Sequence, residues 1–70
     1  MRLSTRNQLH GEITSIKKGE AMTIVEIALD GSSVSVTAAI TTDAVKSLGL
    51  NIGDPAYALI KATEVQIAVD

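Results

Sequence analysis

Residues 34–40, VSVTAAI, alternate side chain by side chain. Val34, Val36, Ala38 and Ile40 share one face, and Ser35, Thr37 and Ala39 share the other. A period of two with one apolar face is the signature of a strand half-buried against a core. The same period recurs along most of the chain and is broken once, between residues 41 and 50. That pattern confines the fold to a small all-β class.

Before this stretch, residues 9–16 read as a strand. Leu9, Gly11, Ile13 and Ser15 form one face, and His10, Glu12, Thr14 and Ile16 the other. KKGE at 17–20 carries a turn. Residues 21–29 form the next strand, with Thr23, Val25, Ile27 and Leu29 on one side. Met22, Ile24, Glu26 and Ala28 lie opposite and are also largely apolar, as suits a strand packed on a core and on a partner. Asp30-Gly31 then predicts a type I′ hairpin turn. The break at TTDAVKSLGL predicts a short helix: Thr41 or Thr42 as cap, Asp43 in the first turn, Ala44, Val45 and Leu48 as its apolar stripe, and Gly49 just past its end. Pro55 opens a strand over 56–62, and a last strand covers 64–69. Five short strands with one helix after the third describe a five-stranded OB-like barrel, with an open meandering sheet as the alternative.

The 70 residues suffice for a single domain, 1–70, whose lone core is marginal. Small folds of this kind are stapled by disulfides, a structural metal or oligomerisation. There is no Cys, and His10 is the only His, which leaves no disulfide and no cysteine or histidine cluster for metal. Apolar residues make up 46% of the chain, more than one copy readily hides. A homo-oligomer is the expected remedy.

Composition also narrows function. A formal charge of −2 and a single aromatic, Tyr57, suit neither phosphate neutralisation nor base stacking, so nucleic acid is not an expected partner. No run of about 18 apolar residues occurs, and neither a membrane partner nor an export signal is expected. The expected compartment is the cytoplasm. No nucleophile–base pair or glycine-rich phosphate loop is present. His10 lacks an evident partner, and the acids Glu20, Asp30, Asp43 and Asp54 sit beside turns. The chain is therefore not expected to be an enzyme.

What remains is a polar arm, LSTRNQLHG (3–11), and a distant segment, LIKATEV (59–65). Arg6 is a permanently charged fork for oxygen acceptors, and Ser4 and Thr5 add hydroxyl donors. Lys61 follows apolar neighbours, Ala62 exposes its backbone, and Thr41 adds a hydroxyl at a helix start. Together they predict a site for a tetrahedral oxyanion. A dianion with four oxygens takes about seven or more N–H and O–H donors. One short chain gathers few, so a site shared between subunits is expected.

STRNQLHGEI resembles the SARNQLKG signature of the molbindins, small molybdate-binding proteins built from one Mop-type, TOBE-like domain. AAITTDAVKSLGLNIGD is similar to that family's helix segment, and LIKATEVQIAV to its ending. The resemblance covers essentially the whole chain. It implies an OB-like barrel assembled as a hexamer, a trimer of dimers, that holds molybdate or tungstate at subunit interfaces for storage, without direct metal coordination by side chains. It implies an oxyanion site of Ser4, Thr5 through its backbone N–H, Arg6, Thr41, Lys61 and Ala62 through its N–H. Thr5 stands where the family usually has Ala, and Ala62 where some members have Ser. The alternatives are an OB module for RNA or a protein partner, and an oxyanion-sensing accessory subunit.

Overall fold

The structure, a computed structural model, describes residues 4–70. Its elements run β1 (Asn7–Lys18), β2 (Met22–Leu29), β3 (Ser35–Thr41), α1 (Thr42–Leu48), β4 (Pro55–Ile60) and a 3-10 turn at Ala62–Glu64. The strands form one antiparallel sheet in the order β3-β2-β1-β4. The sheet curls into an OB-like half-barrel.

β1 is longer than its alternation suggests because it serves two partners in turn. Its first half pairs with β4, from Asn7 opposite Ile60 to Glu12 opposite Pro55. It also pairs with β2 from Gly11 opposite Leu29 to Lys18 opposite Thr23. Where the two ladders overlap, the backbones crowd. A Cβ on Gly11 would lie 2.2 Å from the Ala28 carbonyl oxygen, so only glycine fits there.

A bulge follows. Ile13 stands opposite Ile27, but Ser15 stands opposite Glu26, leaving Thr14 as the extra residue. Strict alternation assigns Ile13 and Ile16 to opposite faces. The inserted residue reverses the phase, so Ile16, opposite Val25, packs on the same core as Ile13.

That core comprises Ile13, Val25, Ile27 and Ala58, flanked by Ile16, Leu29, Val36, Ile40, Leu50 and Ala56. Thr23, Val25 and Ile27 of β2 are buried as expected, and Val36, Ala38 and Ile40 of β3 face inward. Val34 does not. It is 54% exposed, because the β2–β3 connection is a longer loop than a type I′ turn. Gly31 is left-handed at φ 66°, but Asp30 is not, and the Leu29 N–H donates to the Val34 carbonyl at 2.9 Å. Pro55 sits at the start of an edge strand, where its missing N–H costs no ladder bond. Past Pro55 the β1 ladder is continued by the preceding loop: Ile13 N–H donates to Asp54 C=O at 2.9 Å and Gly53 N–H to Ile13 C=O at 2.8 Å.

α1 has the predicted ends. The Thr41 hydroxyl accepts from the Ala44 N–H at 3.1 Å, and Gly49 closes the helix in the left-handed region. Val45 is buried, whereas Leu48 is exposed. Thr42 locks the helix to the sheet. Its N–H donates to Ala21 C=O and its hydroxyl to Gly19 C=O at 2.8 Å. With that hydrogen committed, the buried Thr23 hydroxyl must donate to Thr42 Oγ1, 2.9 Å away.

The structure has four strands where the sequence predicts five. β4 ends at Ile60, the chain turns through 62–64, and residues 65–70 lie exposed without entering the sheet. Ile67 and Val69 are each 90% exposed. The radius of gyration, 12.8 Å, exceeds the roughly 11 Å of a compact chain this long, as a projecting end requires. Alternation reports the capacity to pair, and it is silent on whether an edge lies within reach.

Two substitutions test this reading. Gly11→Ala should cost about 1–3 kcal/mol by overpacking the ladder crossing. Thr42→Val should cost a similar amount, about 1–3 kcal/mol, by orphaning the Thr23 hydroxyl and the Gly19 carbonyl, while Thr42→Ser stays near the parent. Thermal and urea unfolding measure both.

Candidate functional site

The last rung of the β1–β4 ladder sets Asn7 opposite Ile60. The ladder ends there, and the next residue on the incoming side is Arg6 and on the outgoing side Lys61. The Asn7 Nδ2 donates to the Ile60 carbonyl at 3.1 Å and tightens the rung. The Gln8 Nε2 donates to the Thr5 carbonyl at 2.7 Å and holds the arm against the strand.

Past the last rung lies a cleft of about 270 Å³ lined by Ser4, Thr5, Arg6, Lys61, Ala62 and Thr63. Five of the six residues predicted from sequence therefore come together from two tripeptides more than fifty residues apart. No acid lines the cleft, and among the described residues neither Arg6 nor Lys61 has an ion-pair partner. Two like charges lining one cleft repel, and an anion bound between them relieves the repulsion. The 3-10 turn uses the N–H groups of Glu64 and Val65, on Lys61 C=O and Ala62 C=O, and leaves that of Ala62 without a backbone partner among the described residues. The cleft therefore offers positive charge, hydroxyls and a backbone donor. It can hold a small anion, and it contains no general base or nucleophile pair.

Thr41 is not in the cleft. It ends β3 opposite Met22, at the Lys18 end of β1, while Arg6 precedes the other end. Among the described residues its hydroxyl serves only as the helix cap. Thr63 lines the cleft and was not predicted. The signal lay in the segment itself: LIKATEV carries one hydroxyl, and a turn directly after Lys61 keeps it near.

His10 does have a partner that the sequence conceals. Its Nδ1 pairs with Asp30 Oδ2 from the β2–β3 loop, and its ring meets Tyr57 edge-on at 4.9 Å. The pair is exposed and stands on the face of β1 opposite Gly11 and Ile13. Among the described residues no cluster of three or more His, Cys, Asp or Glu could hold a metal ion, and no helix is long and apolar enough to cross a membrane.

The family model for the TOBE domain matches residues 3–67, both segments of the cleft included. The chain belongs to the TOBE-domain family. Over its full length this TOBE-domain chain is 43% identical to the whole of a probable molybdenum-pterin-binding protein of Haemophilus influenzae. Its fold is similar to that of MopII from Clostridium pasteurianum, with a TM-score of 0.91 and 34% identity over 97% of this chain and 100% of that one. It is also similar to the cytoplasmic molybdate-binding protein ModG in a molybdate-bound crystal form. There the TM-score is 0.84, with 41% identity over 91% of this chain and 45% of that one.

Proposed function

We propose that this TOBE domain binds molybdate, or the isostructural tungstate, and stores it in the cytoplasm as a homo-oligomer with no catalytic step of its own. One observation carries the reading: Arg6 and Lys61 line one cleft together with hydroxyl side chains and with no carboxylate to neutralise them. The oxyanion takes charge-assisted hydrogen bonds from both cations, hydroxyl bonds from Ser4, and backbone N–H bonds from Thr5 and Ala62. The metal atom stays inside its oxygen shell, so no side chain coordinates it. The names of the relatives, molybdenum-pterin-binding and molybdate-binding, supply the chemical identity of the anion.

The oligomer follows from two features of the single chain. The alternating residues 65–70 lie extended and exposed, and the sheet has unpaired outer edges on β3 and β4. A strand without a sheet and a sheet with open edges are complementary, and pairing between copies removes both liabilities. Such an exchange closes each half-barrel with a segment of its neighbour. A trimer of dimers is the assembly we assign. In it, Thr41 reaches an anion only from a second copy, which accounts for its distance from the cleft of its own chain.

Native mass spectrometry with and without molybdate tests assembly and ligand together. The expected species is a hexamer that gains mass in molybdate; a monomer indifferent to molybdate, or one that retains single-stranded RNA instead, overturns the reading. In calorimetry, Arg6→Ala and Lys61→Ala should each weaken molybdate binding by about tenfold or more, since each removes a charge-assisted partner. Ile67→Asp should dissociate the assembly while leaving the core of each chain intact, because Ile67 touches nothing in its own copy's core.

A further inference from the structure

Thr63 shares the cleft with Arg6 and Lys61. We propose that its hydroxyl is a further ligand of the oxyanion and the only directional side-chain donor on the 61–63 wall. The inference rests on the oxyanion reading given above and adds a residue to that site.

The two walls of the cleft are chemically unequal. The arm brings two hydroxyls, Ser4 and Thr5, and the guanidinium of Arg6 with its planar fork. The opposite wall brings Lys61, Ala62 and Thr63. Lys61 is a flexible point charge that attracts an anion without fixing its orientation. Ala62 has no side-chain donor. On this wall a tetrahedral anion meets a mobile ammonium and one fixed donor, the Ala62 N–H. The Thr63 hydroxyl adds a second fixed direction there, from a side chain.

Three features make that hydroxyl available. The turn holds Thr63 at a set distance from Lys61, through Glu64 N–H on Lys61 C=O at 2.9 Å and Val65 N–H on Ala62 C=O at 3.4 Å. Thr63 is exposed and makes no side-chain hydrogen bond among the described residues, so it has no structural duty to abandon. As a β-branched residue it has few rotamers, and little entropy is lost when it engages a ligand.

The test compares Thr63→Val, which keeps the shape and removes the hydroxyl, with Thr63→Ser, which keeps the hydroxyl. Molybdate binding to the assembled protein is measured by calorimetry at several salt concentrations, with thermal melts of the anion-free protein alongside. The expected result is a loss of about tenfold or more for Thr63→Val, near-parent affinity for Thr63→Ser, and unchanged melts for both. Because both cations are retained, the salt dependence of Thr63→Val should match the parent, whereas that of Arg6→Ala should flatten. If the parent binds molybdate and Thr63→Val binds it equally well, or if Thr63→Ser falls as far as Thr63→Val, the role of Thr63 is overturned and the oxyanion site stands. If the parent itself does not bind, both readings fall.

Discussion

The register of β1 against β4 is the constraint on which the site depends. Asn7 opposite Ile60 means that the next residue on each side is a cation, and that the two backbones part there. A slip of one residue would carry Arg6 or Lys61 into the ladder and turn its side chain to the other face. Several distant features hold that register. Gly11 lets β1 cross closely over β2, Pro55 ends the β4 ladder, and the 51–54 loop takes over the Ile13 backbone groups beyond it. These are sheet-building residues, and together they place Arg6 and Lys61 just beyond the last rung.

Core and cleft lie toward different ends of the same strand. The helix, the buried Thr23–Thr42–Gly19 hydrogen bonds and Val45 plug the end near Lys18. The other end is left open, with every lining residue except Thr5 exposed. The core itself is small: among the described residues the buried apolar side chains are Ile13, Val25, Ile27, Val45 and Ala58. A core of this size gives little margin over the entropy of ordering the chain.

Much of this was legible from residue order. The first three strands, the helix with its Thr41 and Gly49 caps, the strand opening at Pro55 and five residues of the cleft all follow from periodicity, capping chemistry and donor type. The misses share one cause, which is that they depend on what lies opposite. The Thr14 bulge reverses the phase of β1 only because β2 lacks a matching residue. The Asp30-Gly31 pair does not make a type I′ turn, since Asp30 keeps a negative φ and the loop extends to Val34. His10 finds Asp30 only after the β2–β3 loop folds over β1. The 64–69 alternation is real, but the pairing edge it needs is not offered by its own chain. Strand alternation does not reveal Thr63, because past Ile60 a turn replaces the strand.

If copies exchange residues 65–70 as proposed, ligand and assembly are coupled. The segment that leaves the cleft, 61–63, runs directly into the unpaired extended residues 65–70. Any anion gripped by Lys61 and Thr63 thereby fixes the start of the segment that pairs with a neighbour. Conversely, a neighbour that captures 65–70 fixes the wall of the cleft before the anion arrives. Each event removes part of the ordering cost of the other, and by linkage the effect is equal in both directions. Affinity for the anion should therefore rise with protein concentration in the range where copies associate. A cleft built wholly within one rigid chain would show no such dependence.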